Sequence, residues 1–464
     1  MKKLFHKPEN IFIIIGLICG LVFLTVNPPF QASDESVHFY RASDIAEGHF
    51  IPVKINDKTG VNISMNLEII AYKYPWNKID YQKAKYSPNE TFSRLNIKHD
   101  YRIKHFVNMA DVAIINYPPF PYLASAISID IGKLLNLSPL LIMYLGRLAN
   151  LLLWIFLTYL AIKITPVHKW VFFMLALMPI TVFQAASLSA DSFTIGISFL
   201  TIAFFLKLSF DDNKDKVSLK DIFILLFLLI TLVLSKPFYF LLMLLFFIIP
   251  LKKYGNKKRM SLILTSLLLP VVATCFAWYY TVRGFYVPAE PNISINAQMA
   301  LIFHSPEIFF YALLNTIKIY VPYIIVGFTG QMGWTVFMPL WLVSLYIITL
   351  FIVSLLDKGK IKIDLKQKLT FIIILLLVSS AITIIEYIAW TPIGQNRIDG
   401  IQGRYFIPVI PLFFLLFYNV HYFKSKDKKS NLKISKYLTH GIVIFVVLFL
   451  LIAILTLLKT IYLL

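Results

Sequence analysis

The sequence predicts an all-α polytopic membrane protein of about 11 transmembrane helices, with one membrane domain over residues 1–464 and a long first loop carrying juxtamembrane helices. Three observations predict it. Hydrophobic residues fill 58% of the 464 positions and charged residues only 15%, well below the roughly 25% charge of a soluble domain. Apolar runs recur along the whole chain at about the 17 to 25 residues needed to cross a bilayer. The lysines behind the net charge of +20 fall in short clusters between those runs, where positive charge marks the cytoplasmic side. Such clusters are topology signals, so the basic balance does not imply nucleic acid. Cys19 and Cys275 both lie inside apolar runs, where they read as small core residues and not as a disulfide framework.

The N-terminus "MKKLFHKPEN" precedes the apolar "IFIIIGLICGLVFLTV". No small-residue cleavage site follows, so the run is expected to stay as an anchor. Lys2, Lys3 and Lys7 place that end in the cytoplasm, which sends the acidic "DESVH" that follows to the extracytoplasmic face. The clusters "DDNKDK", "KKYGNKKR", "DKGKIKIDLKQK" and "KSKDKKSNLKISK" should all be cytoplasmic. Parity then tests each run. Between the first outer loop and Asp211 the chain must cross an odd number of times, yet four apolar runs lie there: 118–136, 140–162, 170–188 and 193–210. The first opens with three prolines and carries Asp130 and Lys133, both costly at bilayer depth. It is expected to lie along the outer surface. The same count makes 308–326 a second surface or re-entrant element. The extracytoplasmic segments are then 27–136, 282–334 and 391–405, joined by short turns at "SLSAD" and "SKPFY". No internal repeat or inverted symmetry stands out.

Several residues on that face are candidates for chemistry. Asp34 and Glu35 are adjacent carboxylates at a lipid boundary. Partial desolvation and mutual repulsion disfavour double ionisation, so one of them is poised as a catalytic base. Asp34 could equally be the N-cap of a helix running through His38 and Arg41. His38 lies four residues on, on the same helical face, as a hydrogen-bonded interfacial histidine or a partner of Asp34 on a divalent metal ion. His49, His99 and His105 are too scattered to read as a zinc site. Asp191 is an N-cap for the next span or a site residue. Lys236 is the one charge between two apolar runs, either an interfacial anchor or a point charge for a lipid phosphate. Arg397 and Arg404 stand on a face that should be poor in positive charge. Each can clamp a phosphate bidentately; the alternatives are a salt bridge to Asp399 for Arg397 and snorkelling for Arg404. Arg147, early in a span, pairs structurally or contacts the site. Tyr72, Tyr74, Trp76, Tyr81, Tyr86 and Tyr101 make the first loop aromatic, suited to carbohydrate stacking, interfacial anchoring or a lid.

The order of these patches resembles a known superfamily. A short first helix, "DESVH" in the first outer loop, "YPPFPY" opening a juxtamembrane helix and "RLAN" at the next span are similar to the C-type glycosyltransferases, which use polyprenyl-phosphate sugars. Through "DESVHFYRASDIAEGH", "MPITVFQAASLSAD", "SKPFY" and "QGRYFIPVIP" the chain most resembles, within that superfamily, a bacterial family of uncharacterised polytopic membrane proteins. The resemblance implies a GT-C-like fold in the plasma membrane. It also implies transfer of a sugar from a polyprenyl-phosphate donor to a cell-envelope glycan or lipid acceptor on the extracytoplasmic face. It puts the chemistry on Asp34, the first acidic residue of its motif, and matches Asp191 to an acidic residue frequent at the corresponding turn. Two other classes remain: a lipid-linked glycan transporter or flippase, which would bury its charges near the midplane on broken helices, and a non-catalytic protein of envelope assembly. No broken helix is expected from the sequence.

Overall fold

A backbone in hydrocarbon has no water to bond, so apolar runs must close their own hydrogen bonds as helices. The computed structural model, which describes residues 7–56, 58–72, 86, 88–93, 95, 99–109, 113–288, 290–356, 361–418 and 428–462, is built that way. The chain opens with α1 (Pro8–Val26) and α2 (Glu35–Ala46). The first loop then forms β1 (Val53–Ile55), β2 (Lys58–Ser64), α3 (Met65–Tyr72), α4 (Pro88–Ser93) and β3 (Lys104–Asn108). The three strands make an antiparallel sheet in the order β1-β2-β3, with Val53 opposite Gly60 and Val61 opposite Val107. This small sheet is a local addition to a chain that is otherwise largely helical, as an all-α membrane protein is expected to be. Its signal is only the Val61, Ile63 alternation, which buries both side chains, and a run that short is easily missed. Tyr74, Trp76 and Tyr81 lie outside the described residues.

After it come α5 (Leu123–Leu134), α6 (Pro139–Ile164), α7 (Lys169–Ala176), α8 (Pro179–Ala185), α9 (Ala190–Phe210) and α10 (Leu219–Val233). With 12 residues, α5 is too short to cross a bilayer and packs on α2 and α6. A 3-10 helix, Pro237–Ile248, leads to α11 (Leu251–Tyr254), α12 (Lys257–Val282), α13 (Ile295–His304) and α14 (Pro306–Thr329). A two-stranded ribbon of β4 (Gln331–Met332) and β5 (Val336–Phe337) precedes α15 (Leu340–Leu356) and α16 (Leu365–Trp390). A 3-10 turn, Gly403–Phe406, then α17 (Ile410–Leu415) and α18 (Lys428–Tyr462) complete the described chain.

Among the described residues, seven helices are long and apolar enough to cross a membrane: α1, α6, α9, α12, α14, α16 and the part of α18 from Tyr437. Prolines mark three places where the chain departs from a continuous α-helix. Pro179 divides 170–188 into α7 and α8, and Pro408 and Pro411 follow the turn that begins at Gly403, since proline donates no backbone bond and fixes its own φ. Pro237 starts 12 residues of 3-10 helix. At about 2.0 Å per residue these reach roughly 24 Å, against about 18 Å for an α-helix of equal length. The 308–326 run, expected as a surface or re-entrant element, is the continuous 24-residue α14, long and apolar enough to cross a bilayer. Its contacts nonetheless run along the 391–405 segment, with Asn315 Nδ2 donating to the Asn396 carbonyl at 3.1 Å and Thr316 Oγ1 accepting from Ile398 N at 2.8 Å.

At the centre stands α9, with 83% of its apolar window buried, while α12 and α14 are peripheral at 17% and 11%. It packs chiefly on α6, which in turn holds α1 through an edge-on Phe12–Trp154 contact at 5.3 Å. The outward faces of α12, α14 and α16 expose Leu269, Phe276, Leu314 and Leu376, a surface that lipid tails would cover.

Candidate functional site

The end of the bundle where α1 stops and α9 starts is organised by one buried guanidinium. Arg147 projects from α6 into the interior and is fully buried, where every unbonded donor is costly. It uses them all. Nη1 donates to the carbonyls of Leu24 (3.1 Å) and Asn27 (2.7 Å), Nη2 to that of Pro28 (2.8 Å), and Nε and Nη2 donate to the two Glu35 oxygens at 2.8 and 2.7 Å. Glu35 also accepts from Leu188 N at 3.0 Å. One ion pair thus ties the end of α1, the start of α2 and the turn before α9. One helical turn along α6, Asn150 Nδ2 holds the same turn by donating to the Ser187 and Ser189 carbonyls at 2.8 and 2.9 Å.

With Glu35 committed to that clamp, its neighbour faces the other way. Asp34 sits in the left-handed region at φ 60° and makes no capping bond to α2. A non-glycine residue held there is strained, a feature concentrated at functional sites. Its carboxylate lines a cavity of about 210 Å³ with His38, Asp191, Lys236, Glu386 and Arg404. Arg404 Nη2 lies 3.6 Å from Asp34 Oδ2, and Lys236 Nζ donates to Asp191 Oδ1 at 2.6 Å. Arg404 Nε is 3.1 Å from Asp191 Oδ2 but off the angle of a hydrogen bond, so that contact is an electrostatic pair. Two carboxylates therefore alternate with two cations. They come from four separate stretches of the chain, at positions 34, 191, 236 and 404.

Aromatic rings and one glycine hold the cations in place. Lys236 Nζ stands 4.7 Å from the Tyr405 ring centre and 5.5 Å from that of Tyr117, within cation–π range. Tyr239 OH donates to the Tyr405 carbonyl at 2.6 Å, pinning "SKPFY" to "QGRYF". Gly403 lets that second stretch approach α14 so closely that a Cβ would come within 2.1 Å of the Ile324 carbonyl oxygen. Trp334 and Trp390 complete the wall. A second cavity of about 260 Å³ shares Tyr117, Lys236, Glu386, Trp390 and Tyr405 with the first, and the rest of its lining is mainly apolar, including Phe238, Ile382 and Ile385.

Burial raises the Asp34 pKa above the usual carboxylate range, outweighing Arg404, and Asp191 pushes the same way. His38 is driven down to about 3, first by burial, with Arg404 and Lys236 adding to it. Its imidazole is neutral at physiological pH, with Nδ1 2.8 Å from Tyr122 OH. Burial alone would lower the Lys236 pKa, but Asp191 and Tyr117 more than offset it and the ammonium stays charged.

The fold thus brings Asp34, His38, Asp191, Lys236 and Arg404 together and leaves three expected site residues out of the cavity. Glu35 and Arg147 satisfy each other, so Glu35 stands here as a structural acid. Arg397 is half-exposed, 3.2 Å from Asp399, the simpler of the two readings it allowed. Asp34 occupies the N-cap position of α2 without a side-chain capping bond, and the N-cap of α9 is Ser189, whose Oγ accepts from Asp191 N at 3.2 Å. Arg404 does not snorkel, being 7% exposed and set against two acids. Sequence reasoning missed Glu386, Trp334, Trp390 and Tyr117. Glu386 did carry a signal, as the lone carboxylate in the apolar "AITIIEYIAW", the kind of residue that marks function by default.

Arg404 and Lys236 engage Asp34 and Asp191, and Tyr122 holds one His38 nitrogen. Among the described residues no three His, Cys, Asp or Glu side chains stand close enough together to hold a metal ion as they are placed. Comparison with known proteins finds no match among curated proteins and none among solved structures. A family profile described as "Predicted membrane protein (DUF2142)" matches residues 17–413, a span that contains α1 through α17 in large part and every residue of the cavity. The chain belongs to the DUF2142 family of predicted membrane proteins.

Proposed function

We propose that this protein is an integral membrane glycosyltransferase that moves a sugar from a polyprenyl-phosphate donor to a cell-envelope glycan or lipid acceptor on the extracytoplasmic face of the plasma membrane. The observation that carries the reading is a carboxylate and two cations lining one cavity that abuts an apolar one. A lipid-linked phosphate sugar has those parts in that order: an apolar chain, an anion and a reactive carbon. In this reading the chain lies along Phe238 and Ile385, and the phosphate displaces Asp34 and part of Asp191 from Arg404 and Lys236. Freed of Arg404, Asp34 takes the proton of the acceptor hydroxyl as its oxygen attacks the anomeric carbon. The bond from that carbon to the phosphate oxygen breaks, and the electron pair leaves on a phosphate that both cations stabilise. Neutral His38 keeps the Tyr122 hydroxyl and the start of α2 in place without competing for the proton.

Asp34→Asn tests the assignment cleanly. Asparagine tolerates the left-handed conformation and keeps the shape, so the fold should survive while transfer from a defined polyprenyl-phosphate sugar in detergent drops by roughly 100-fold or more. Full activity in a stable Asp34→Asn protein would sink the reading. A second reading, transport of a lipid-linked glycan, gains from the interrupted segments at Pro179 and Pro237, since broken helices bearing charge are a transporter device. It expects lipid exchange across reconstituted vesicles with no new glycosidic bond.

A further inference from the structure

Glu386 is the one ionisable group of the cavity that the transfer step leaves unused. It lies near the end of α16, and its side chain lines both the charged cavity and the apolar one. Thr391 Oγ1 engages its main-chain carbonyl at 3.1 Å, but among the described residues the carboxylate itself has no hydrogen bond and no ion pair within 4.0 Å. The chain opposite makes room for it. Gly400, at φ 85°, would place a Cβ 2.3 Å from Glu386 Oε2, so no side chain fits there while the carboxylate is present. Trp390 follows four residues on, on the same helical face, and Trp334 enters the same cavity from the β4–β5 ribbon.

A carboxyl group with no protein partner takes its hydrogen bonds from whatever fills the cavity, and the hydroxyls of a ligand can supply them in place of water. Flat indole rings beside it suit the apolar face of a ring-shaped ligand. Few molecules offer both a rim of hydroxyl donors and an apolar face, and a sugar is one. We propose that Glu386, Trp334 and Trp390 form the subsite for the sugar ring of the donor, with Glu386 accepting hydrogen bonds from its hydroxyls while Lys236 and Arg404 hold the phosphate. The assignment rests on the glycosyltransferase reading and names which wall of that cavity takes the carbohydrate.

The test compares two soluble probes by titration calorimetry on the full-length protein in detergent: farnesyl phosphate, and farnesyl phosphate esterified to glucose, mannose or galactose. Wild type should bind at least one sugar-bearing probe more tightly than farnesyl phosphate. Glu386→Gln, nearly isosteric, should weaken that probe by about 10-fold or more and leave farnesyl phosphate unchanged. Arg404→Gln should weaken both. Trp334→Leu serves as the second variant if Glu386→Gln unfolds, and should show the same selectivity. Equal loss for both probes, or no loss in Glu386→Gln, overturns the subsite while the glycosyltransferase reading stands on Arg404. The same holds if no sugar-bearing probe outbinds farnesyl phosphate. Failure of wild type to bind either probe overturns both.

Discussion

Asp34 and Glu35 are neighbours in sequence with opposite fates, and the difference can be measured residue by residue. Glu35 answers a fully buried guanidinium. Removing one partner of such a pair leaves an uncompensated charge and typically costs about 3 to 5 kcal/mol. Glu35→Ala and Arg147→Ala should therefore each lower the thermal unfolding midpoint sharply, and the double variant should lose less than the sum of the two. Additive losses would mean the pair is not coupled. Asp34 should behave in reverse, with activity lost and stability kept. Its pKa is raised by burial and its role as base needs the ionised form, so transfer should fall as pH drops through a midpoint above the roughly 3.9 of a free aspartate. His38, already neutral above a pKa of about 3, cannot account for a limb above that of a free aspartate. A rate flat from pH 8 down to 4 would remove Asp34 from the proton transfer.

At the scale of elements, the cavity depends on how closely the 3-10 turn at Gly403–Phe406 seats against α14. A methyl at 403 would lie 2.1 Å from the Ile324 oxygen and 2.3 Å from Phe328 N, so the turn must move and carry Arg404 with it. Overpacking of this kind costs about 1 to 3 kcal/mol. Gly403→Ala should lower both stability and transfer, whereas Gly441→Ala in α18, where nothing lies within 4 Å, should change neither. An active Gly403→Ala protein would mean that the position of Arg404 is less confined than the packing implies. Pro237 directly follows Lys236 at the start of its 3-10 helix, and Pro408 comes four residues after Arg404, so prolines adjoin two of the stretches that carry the cavity's cations.

For the whole molecule, the contacts gather the first loop, 284–286, the β4–β5 ribbon and the 391–405 segment at one end: Lys54 reaches the Gly284 carbonyl at 3.5 Å, Trp278 Nε1 that of Asn116 at 3.1 Å, and Gln31 Nε2 the Thr335 hydroxyl at 2.8 Å. The lysine clusters predict that this end is extracytoplasmic. In a protein cleared of its two native cysteines, Arg102→Cys and Ile393→Cys should both react with an impermeant thiol reagent added outside intact cells, and Lys257→Cys should not. Protection of the first two would reverse the topology. Hydropathy is a property of each stretch alone, so the sequence by itself determined the membrane class, most of the helices and the segments rich in functional residues, because polar groups are costly in such a chain and stand out. Partner choice is not local. Whether Arg147 meets Glu35 or Asp34, whether Arg397 or Arg404 enters the cavity, and that Glu386 and two tryptophans complete it were decided only by the tertiary structure. Adjacent side chains on a helix point about 100° apart, and the groups that claim them lie more than 100 residues away.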